Sequence, residues 1–313
     1  MALQAIAAPC DAGFPAMSLP VRQGFPKLSG LAAMRAQELL KSGDLDATLA
    51  ALQAEVRAKP ADGKLRVFLF QLLCVIGDWK RAITQLKVSA ELDAQSTQMA
   101  QAYRECIICE VYRERVFAGD KDPLVFGKPQ AWVALLVEAM KHLAAGRPGD
   151  AAQQRDRAFE AAPALTGTLN GAPFEWIADA DMRLGPILEA VVNGRYFWMP
   201  YNAIRKITSE APRDLRDAVW TPVNIVLRNG GDIVAMLPTR YVGTAEHGTA
   251  AEKLSRATNW IDAGGETFVG RGQRLLATDA GEVALMDLRE LVIHHADDET
   301  VADAQADSAE EAG

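Results

Sequence analysis

The chain has 313 residues, of which 49% are hydrophobic and 24% are charged. This balance is typical of a water-soluble globular protein with a sizeable core, and it excludes a chain that is disordered throughout. The formal net charge is −8, but the last 18 residues, 296–313, hold seven acids and no bases. Without them, 33 basic residues face 34 acidic ones, so the remainder lacks the excess of positive charge that binding to a nucleic-acid backbone needs.

The cysteines and the amino-terminal sequence bear on the compartment. Of the four cysteines, Cys74, Cys106 and Cys109 lie inside apolar helical patterns, which is not the arrangement of a secreted disulfide scaffold. The first residues, MALQAIAAPCDAGF, have no basic region before the apolar ones, so no signal peptide is expected. No apolar run approaches the ~18 residues of a membrane-spanning helix. These features predict a cytoplasmic protein.

The first half of the chain is predicted to be helical. Residues 1–28 contain several prolines and glycines with little periodicity, and we expect a flexible arm there. Ser29 is a candidate N-cap for the first helix. From this point to residue 163, good helix formers dominate and Gly or Pro interrupts them at intervals. We therefore predict a helical domain over residues 29–163, with six or seven helices.

A segment that begins with glycine recurs in this half. The sequence GDLDATLAALQAEVRAKP starts at Gly43, GDWKRAITQLKVSAELDA starts 34 residues later at Gly77, and GRPGDAAQQRDRAFEAAP starts at Gly146. Helix-turn-helix units with this period, a Gly-Asp turn and a proline after the second helix resemble the tetratricopeptide repeat. The copies are imperfect, and a long helical pattern from Thr97 to Ala118 separates the second from the third. The sequence thus predicts an irregular TPR-like array.

After Pro163 the chain changes to short β-branched and aromatic runs between Gly and Pro residues. The predicted strands are RYFWMP from Arg195, VWTPVNIVL from Val219, DIVAMLP from Asp232, and two strands flanking a turn at Asp279-Ala280-Gly281. Helices are predicted at 177–193 and 249–263, where Gly follows each pattern. The second part is therefore a smaller α+β domain, 164–293, followed by a disordered acidic tail, 294–313.

The segment Lys64–Ile76, KLRVFLFQLLCVI, is the candidate partner-binding helix. It is apolar on almost every side, whereas an ordinary surface helix carries an apolar stripe about 100° wide. In the repeat register, Val67, Phe68, Gln71 and Val75 would face the concave side of the array and contact a partner there. The alternative is that neighbouring helices bury both sides of this helix, as they do for a central helix of a repeat array.

Asp179 and Asp181 are the nearest approach to an acid site in the sequence. Together with Trp176 and Trp198 they could form the site of a metal-dependent hydrolase, because paired carboxylates ligate hard cations and transfer protons. They could equally cap a helix and pair with Arg183 to order a loop. We favour this structural role, because acids concentrate at helix starts.

Other candidate ligands do not assemble into a site. Cys106 and Cys109 form a CxxC, but zinc needs four ligands and no second pair stands at the right spacing, so buried cysteines are expected. His294 and His295 project to opposite sides of an expected exposed strand end. No complete phosphate-loop, dinucleotide, nucleophile-elbow or zinc-protease motif occurs. We expect no catalytic residue, no cofactor and no bound metal.

Several separated segments of the chain resemble the ImpE/TagJ family of type VI secretion accessory proteins. The resemblance covers about residues 30–293, with the motifs in the same order. The segments that carry it are LAALQAEVRAKPADGKLRVFLFQLLCVIGDWKRAITQL, PLVFGKPQAW, PFEWIADADMRLGPILEAVVNGRYFWMP and LPTRY.

This resemblance implies a cytoplasmic, non-enzymatic adaptor. Members of the family bind the N-terminal helix of a type VI sheath subunit, in connection with the AAA+ ATPase that recycles the contracted sheath. A groove built from helical repeats is compatible with such a ligand. The alternatives are the hydrolase described above and a TPR scaffold of another complex; nucleic acid and membrane are not expected partners.

Overall fold

The structure is a computed structural model that describes residues 31–128 and 130–295. The predicted arm, the N-cap Ser29 and the acidic tail from residue 296 onward lie outside the described residues. The first half is helical, as predicted. Its helices are α1 (Leu31–Ser42), α2 (Leu45–Ala58), α3 (Gly63–Ile76), α4 (Trp79–Leu92), α5 (Thr97–Phe117), α6 (Ala131–Ala144) and α7 (Pro148–Ala161).

The recurring glycines lie at the turns between paired helices. Gly43, Gly77 and Gly146 have φ of 86°, 90° and 70°, a backbone conformation that glycine adopts without steric strain. They join α1 to α2, α3 to α4 and α6 to α7, and the two helices of each pair pack on each other. The aspartates after the first two glycines are N-caps: Asp44 accepts from the Ala47 amide at 2.9 Å, and Asp78 caps α4 in the same way. The repeated motif therefore encodes the turn of each helical pair.

The turn at Gly77 is more tightly packed than the turn at Gly43. An added Cβ would lie 2.7 Å from Ala245 Cβ at Gly77, whereas at Gly43 it would meet none of the described residues within 4 Å. We expect Gly43→Ala to lower the free energy of unfolding by about 1 kcal/mol through its positive φ alone. In Gly77→Ala, steric overlap with Ala245 adds to the strain of the positive φ. We expect this substitution to lower the free energy of unfolding by about 2–4 kcal/mol. Urea unfolding of both variants measures the difference, and equal losses would contradict the close approach to Ala245.

The second half consists mainly of strands, and a two-residue strand of the first half joins them. Two short helices, α8 (Thr244–His247) and α9 (Ala250–Lys253), and a 3₁₀ helix, Leu215–Ala218, lie between them. The strands are β1 (Leu124–Val125), β2 (Gly167–Leu169), β3 (Ala172–Phe174), β4 (Ile177–Asp179), β5 (Ile187–Val192), β6 (Arg195–Pro200), β7 (Ile204–Ser209), β8 (Trp220–Leu227), β9 (Asp232–Pro238), β10 (Thr258–Asp262), β11 (Phe268–Gly272), β12 (Leu275–Thr278), β13 (Gly281–Ala284) and β14 (Glu290–Ile293).

Most of these strands form one large sheet. Within the described ranges, nine strands pair in the order β1-β6-β5-β9-β8-β7-β14-β2-β3. The pair β1–β6 is parallel and the other pairs of this sheet are antiparallel. Strand β1 precedes α6, so the linker between the helical pairs extends the edge of the sheet. A three-stranded sheet, β13-β12-β4, and the β10–β11 hairpin complete this half.

The predicted strands in the second half are confirmed, but the two predicted helices are wrong. The segment 177–193 forms β4 and β5, and Asn193 and Gly194 make a two-residue hairpin turn with φ of 48° and 70°. All six residues of β5 are buried, and a strand covered on both sides has no alternation that separates it from a buried helix. The segment 249–263 is helical only over Ala250–Lys253 and then forms β10.

The large sheet separates two apolar cores. Along β5, Ile187 and Val191 belong to the core shared with the helices, while Leu188, Ala190 and Val192 belong to the core on the opposite side. This is the alternation of a strand, with both faces covered. The helical half therefore packs directly on the sheet. The predicted domain boundary between residues 163 and 164 stays a prediction.

Candidate functional site

Helix α3 carries the four residues predicted to contact a partner. Phe68, Gln71 and Val75 are at most 1% exposed, and Val67 is half-buried. The 3₁₀ helix of the second half packs on α3, and Gln71 Nε2 donates a hydrogen bond to Asp214 Oδ2 at 3.3 Å. The expected exposure of Phe68, Gln71 and Val75 is therefore corrected, because the chain's own sheet-rich half covers this side of α3. Contact of Val67 with a partner stays a prediction.

A buried network of charged side chains joins helix α5 to the sheet-rich half. Its members are at most 7% exposed: Glu110, Arg113, Asp179, Glu189, Arg240 and Arg274. Glu189 lies at its centre, where Arg113 donates to its two oxygens at 2.6 and 2.9 Å and Arg274 donates to one of them. The Tyr196 hydroxyl also donates to Glu189.

The remaining contacts extend this network to both halves of the chain. Arg274 pairs with Asp179, and Arg113 pairs with Glu110 at 3.2 Å. Arg240 donates to the carbonyl oxygens at the end of α3, to Val75 at 2.7 Å and to Cys74 at 3.2 Å. Buried charges are tolerated when they are paired and hydrogen-bonded. The network therefore acts as a polar clamp between helices and sheet.

The clamp shifts the pKa values of its two strand carboxylates in opposite directions. Burial would raise the pKa of Glu189, but Arg113 and Arg274 outweigh it and lower that pKa to about 2. Burial raises the pKa of Asp179 to about 6, although Arg274 opposes the rise, and the neighbouring Asp181 carboxylate adds to it.

These shifts predict a pH profile of stability with two arms. The pKa of Glu189 is about 2 in the folded chain and 4.5 in the unfolded chain. Its contribution to stability is therefore fully present above pH 4.5 and is lost as the pH falls towards 2. Asp179 keeps its proton in the folded chain up to about pH 6 and loses it near 3.8 when unfolded, so stability falls as pH rises between these values. We expect Asp179→Asn to reduce this fall while the acid arm remains. Urea unfolding across this pH range measures the change, and a fall of unchanged size in the variant would contradict the assignment.

The carboxylates of the proposed hydrolase site are engaged in hydrogen bonds. Asp181 accepts from Arg183 Nε at 2.9 Å and Nη2 at 2.6 Å, and from the Gly270 amide at 2.9 Å. Asp179 accepts from the Asp181 amide at 2.8 Å and from Arg274. Both acids are buried. This geometry favours the structural role, in which they order the turn after β4 instead of capping a helix.

The two tryptophans of that proposed site lie in different surroundings. Trp198 is fully buried, and its indole N–H donates to the Tyr196 hydroxyl at 2.9 Å within the clamp region. Trp176 is 44% exposed. The structure therefore does not build an open site from these four residues.

The cysteine and histidine pairs also have structural surroundings. Cys106 and Cys109 are buried in α5 as expected, and burial raises the pKa of the Cys109 thiol to about 12. His294 is exposed, but His295 is buried and hydrogen-bonds the Ile204 carbonyl oxygen at 2.8 Å, so its expected exposure is wrong. Across residues 31–128 and 130–295, no group of three or more His, Cys, Asp or Glu side chains is arranged to hold a metal ion.

A cleft of about 430 Å³ opens beside the end of helix α1. Its lining comes from four separate segments of the chain: Leu40, Lys41, Pro212, Arg213, Asp214, Leu215, Ala218, Leu254, Arg256 and Met286. This volume falls in the ~300–1,000 Å³ range of ligand-binding sites. No motif connects positions so far apart, and sequence reasoning missed the cleft for that reason.

The cleft combines an apolar floor with a basic rim. The floor includes the buried side chains of Leu40, Leu215, Ala218 and Leu254, whereas the rim carries three exposed cations. These cations are Lys41, Arg213 and Arg256.

One rim cation also holds the cleft together. The Arg256 guanidinium donates to the Leu40 and Lys41 carbonyl oxygens at 3.1 and 3.0 Å. It thereby caps the carboxyl end of α1 and ties this helix to the second half of the chain. The shape of the cleft therefore depends on contacts between residues more than two hundred positions apart.

The fold and these surfaces define a class: a helical-repeat protein whose first half packs on a large mixed sheet. Among the described residues, no helix has the length and apolar character needed to cross a membrane. Residues 171–292 match the family model described as ImpE protein.

The similar proteins agree with this match. The chain is 53% identical over 266 residues to the type VI secretion system accessory component TagJ of Pseudomonas aeruginosa, an alignment that covers 85% of this chain and 93% of that protein. The crystal structure of protein VPA1032 from Vibrio parahaemolyticus has the same fold, with a TM-score of 0.76 and 24% identity over 83% of this chain and 98% of that one. The chain belongs to the ImpE/TagJ family.

Proposed function

We propose that this protein is a non-enzymatic accessory component of a type VI secretion system, which works in the cytoplasm by binding other proteins. The observation that carries the proposal is the 53% identity to a type VI accessory component along 93% of its length. The engagement of Asp179 and Asp181 by arginines supports binding over hydrolysis.

The proposed partner is the N-terminal helix of the small sheath subunit. Binding of this helix would link the protein to sheath assembly, or to recycling by the AAA+ ATPase, which is then an indirect partner. An amphipathic helix presents apolar anchors three and four residues apart to an apolar groove. The chain's own sheet-rich half covers Phe68, Gln71 and Val75, so of the four α3 residues first expected to contact the partner only the half-buried Val67 stays a candidate.

Titration of the full-length protein with a synthetic N-terminal peptide of the neighbouring sheath subunit tests the proposal. We expect a Kd in the micromolar range, corresponding to about −8 kcal/mol at 1 μM. A peptide of the same composition with its apolar positions scrambled is the matched control and should not bind. Equal binding of the two peptides, or no binding of either, would contradict the sheath helix as partner.

A further inference from the structure

The cleft beside α1 has the anatomy of a protein-binding site. Interfaces place apolar residues at the centre and polar or charged residues at the rim, where opposite charges on the partner set orientation and rate. Here the centre includes Leu215 and Leu254, and the rim carries Lys41, Arg213 and Arg256. Before residue 296 the chain is close to neutral, with 33 bases against 34 acids, so three basic residues around one cleft are a local excess of positive charge.

The charges of the rim remain available for a partner. Within residues 31–128 and 130–295, Lys41 and Arg256 form no salt bridge, and Arg213 has a single exposed partner, Glu210, at 3.7 Å. In the part of the chain that the structure describes, Asp214 is the one acid that lines the cleft, and Arg216 already donates to it at 2.8 and 2.6 Å. An occupant with carboxylates at its margin would therefore meet the unpaired charge of Lys41 and the charge of Arg213, whose partner Glu210 lies 3.7 Å away.

The lining of the cleft is better suited to a peptide segment than to a small molecule. Small-molecule sites orient their ligand with a few convergent polar groups in an apolar pocket. In this cleft the polar groups are spread over the rim, and the carboxylate of Asp214 is engaged elsewhere. A surface of this kind fits a short segment that lays apolar side chains on the floor and acidic ones along the edge.

Neither terminal segment of this chain combines large apolar side chains with several acidic ones. Residues 1–30 supply apolar side chains but a single acid, Asp11, beside Arg22 and Lys27. Residues 296–313 supply seven acids but no aromatic residue, Leu, Ile or Met. A segment of another protein is the better complement.

We propose that this cleft is the docking site for an acidic amphipathic segment of a partner protein. Large apolar residues of the segment contact the floor formed around Leu215 and Leu254, and its Asp or Glu side chains pair with Lys41 and Arg213. The proposal rests on the proposed function only in the choice of partner proteins to be tested.

The test is an array of overlapping peptides from the type VI secretion proteins encoded beside this chain, the small sheath subunit included. Peptides of about 15 residues make roughly four helical turns. The array is probed with the full-length protein, and Kd values of the bound peptides are measured in solution. The array also carries residues 1–30 and 296–313 of this chain.

The rim variant is Lys41→Glu with Arg213→Glu, which spares the capping contacts of Arg256. The matched control is Lys87→Glu with Arg157→Glu, two exposed positions outside the cleft with the same change in net charge. We expect the rim variant to weaken binding of the selected peptides about tenfold or more, and the control to leave it within about twofold. Exchange of the acids of a bound peptide for lysine should restore its binding to the rim variant.

The outcomes separate this proposal from the proposed function. Sheath-peptide binding that the rim variant does not weaken, with no rim-dependent binding of any other peptide, would overturn the cleft and leave the sheath partner supported. Rim-dependent binding of a peptide from another protein, with no binding of the sheath peptide, would support the cleft and contradict the sheath partner. Rim-dependent binding confined to the chain's own terminal segments, or no rim-dependent binding at all, would overturn the cleft as a partner site.

Discussion

Arg274→Met is expected to destabilise the protein by about 3–5 kcal/mol, because it removes one partner from a buried ion-pair network. Arg274 is fully buried, bridges Asp179 and Glu189, and donates from Nε to the Pro238 carbonyl oxygen at 3.0 Å. Its loss leaves Asp179 without an arginine partner and Glu189 with Arg113 and the Tyr196 hydroxyl. Chemical unfolding followed by far-UV circular dichroism measures the effect.

Lys206→Met is the matched control for this prediction. Lys206 and Glu290 form an ion pair at 2.5 Å between side chains that are 40% and 47% exposed, and exposed pairs contribute about 0–1 kcal/mol. Asp179→Asn in the Arg274→Met background should recover part of the loss, since it removes the carboxylate left unpaired. A loss in Arg274→Met no larger than in Lys206→Met would contradict the clamp.

Phe68→Glu is expected to abolish the cooperative folding transition. Removal of a buried Phe side chain costs about 3–5 kcal/mol, and an unpaired buried carboxylate adds further cost. Phe68 is 1% exposed and belongs to the core shared by helices and sheet. The free energy of unfolding of an ordinary protein is about 5–15 kcal/mol in total. The combined loss expected for Phe68→Glu approaches this value.

Ile108→Glu provides the comparison for Phe68→Glu, because Ile108 is 46% exposed on helix α5. Exposed substitutions of this kind usually change stability by less than about 0.5 kcal/mol. A Phe68→Glu protein with a normal unfolding midpoint would show that α3 is accessible. If it unfolds, loss of partner binding in this variant reports loss of folding and not the position of a groove.

The helical turns were predictable because their determinants are local. Gly43 and Gly77 supply a positive φ, and the aspartate that follows each one caps the next helix through contacts within three residues. The hairpin at Asp279 was predictable for the same reason, since β12 and β13 flank a two-residue turn. Strand β5 was missed because burial on both sides removes the alternation that identifies a strand.

The candidate site was less predictable than the fold. The apolar character of α3 correctly indicated that both of its sides need cover, but not that the sheet-rich half supplies it. Glu189 offered a signal that was overlooked: a single acid in the apolar run ILEAVV needs a buried cation. Its partners Arg113 and Arg274 are 76 and 85 residues away, so no local pattern could name them.

The amino-acid sequence alone specified the helical first half, five strands of the second half (β6, β8, β9, β12 and β13) and the family, because these follow from turn chemistry, periodicity and motifs in a constant order. The tertiary structure alone decided which side of α3 is covered, how the buried charges pair, and that Leu40, Arg213 and Met286 meet at one cleft. Those features arise when the two halves pack together, and packing joins residues whose distance along the chain carries no information about their distance in space.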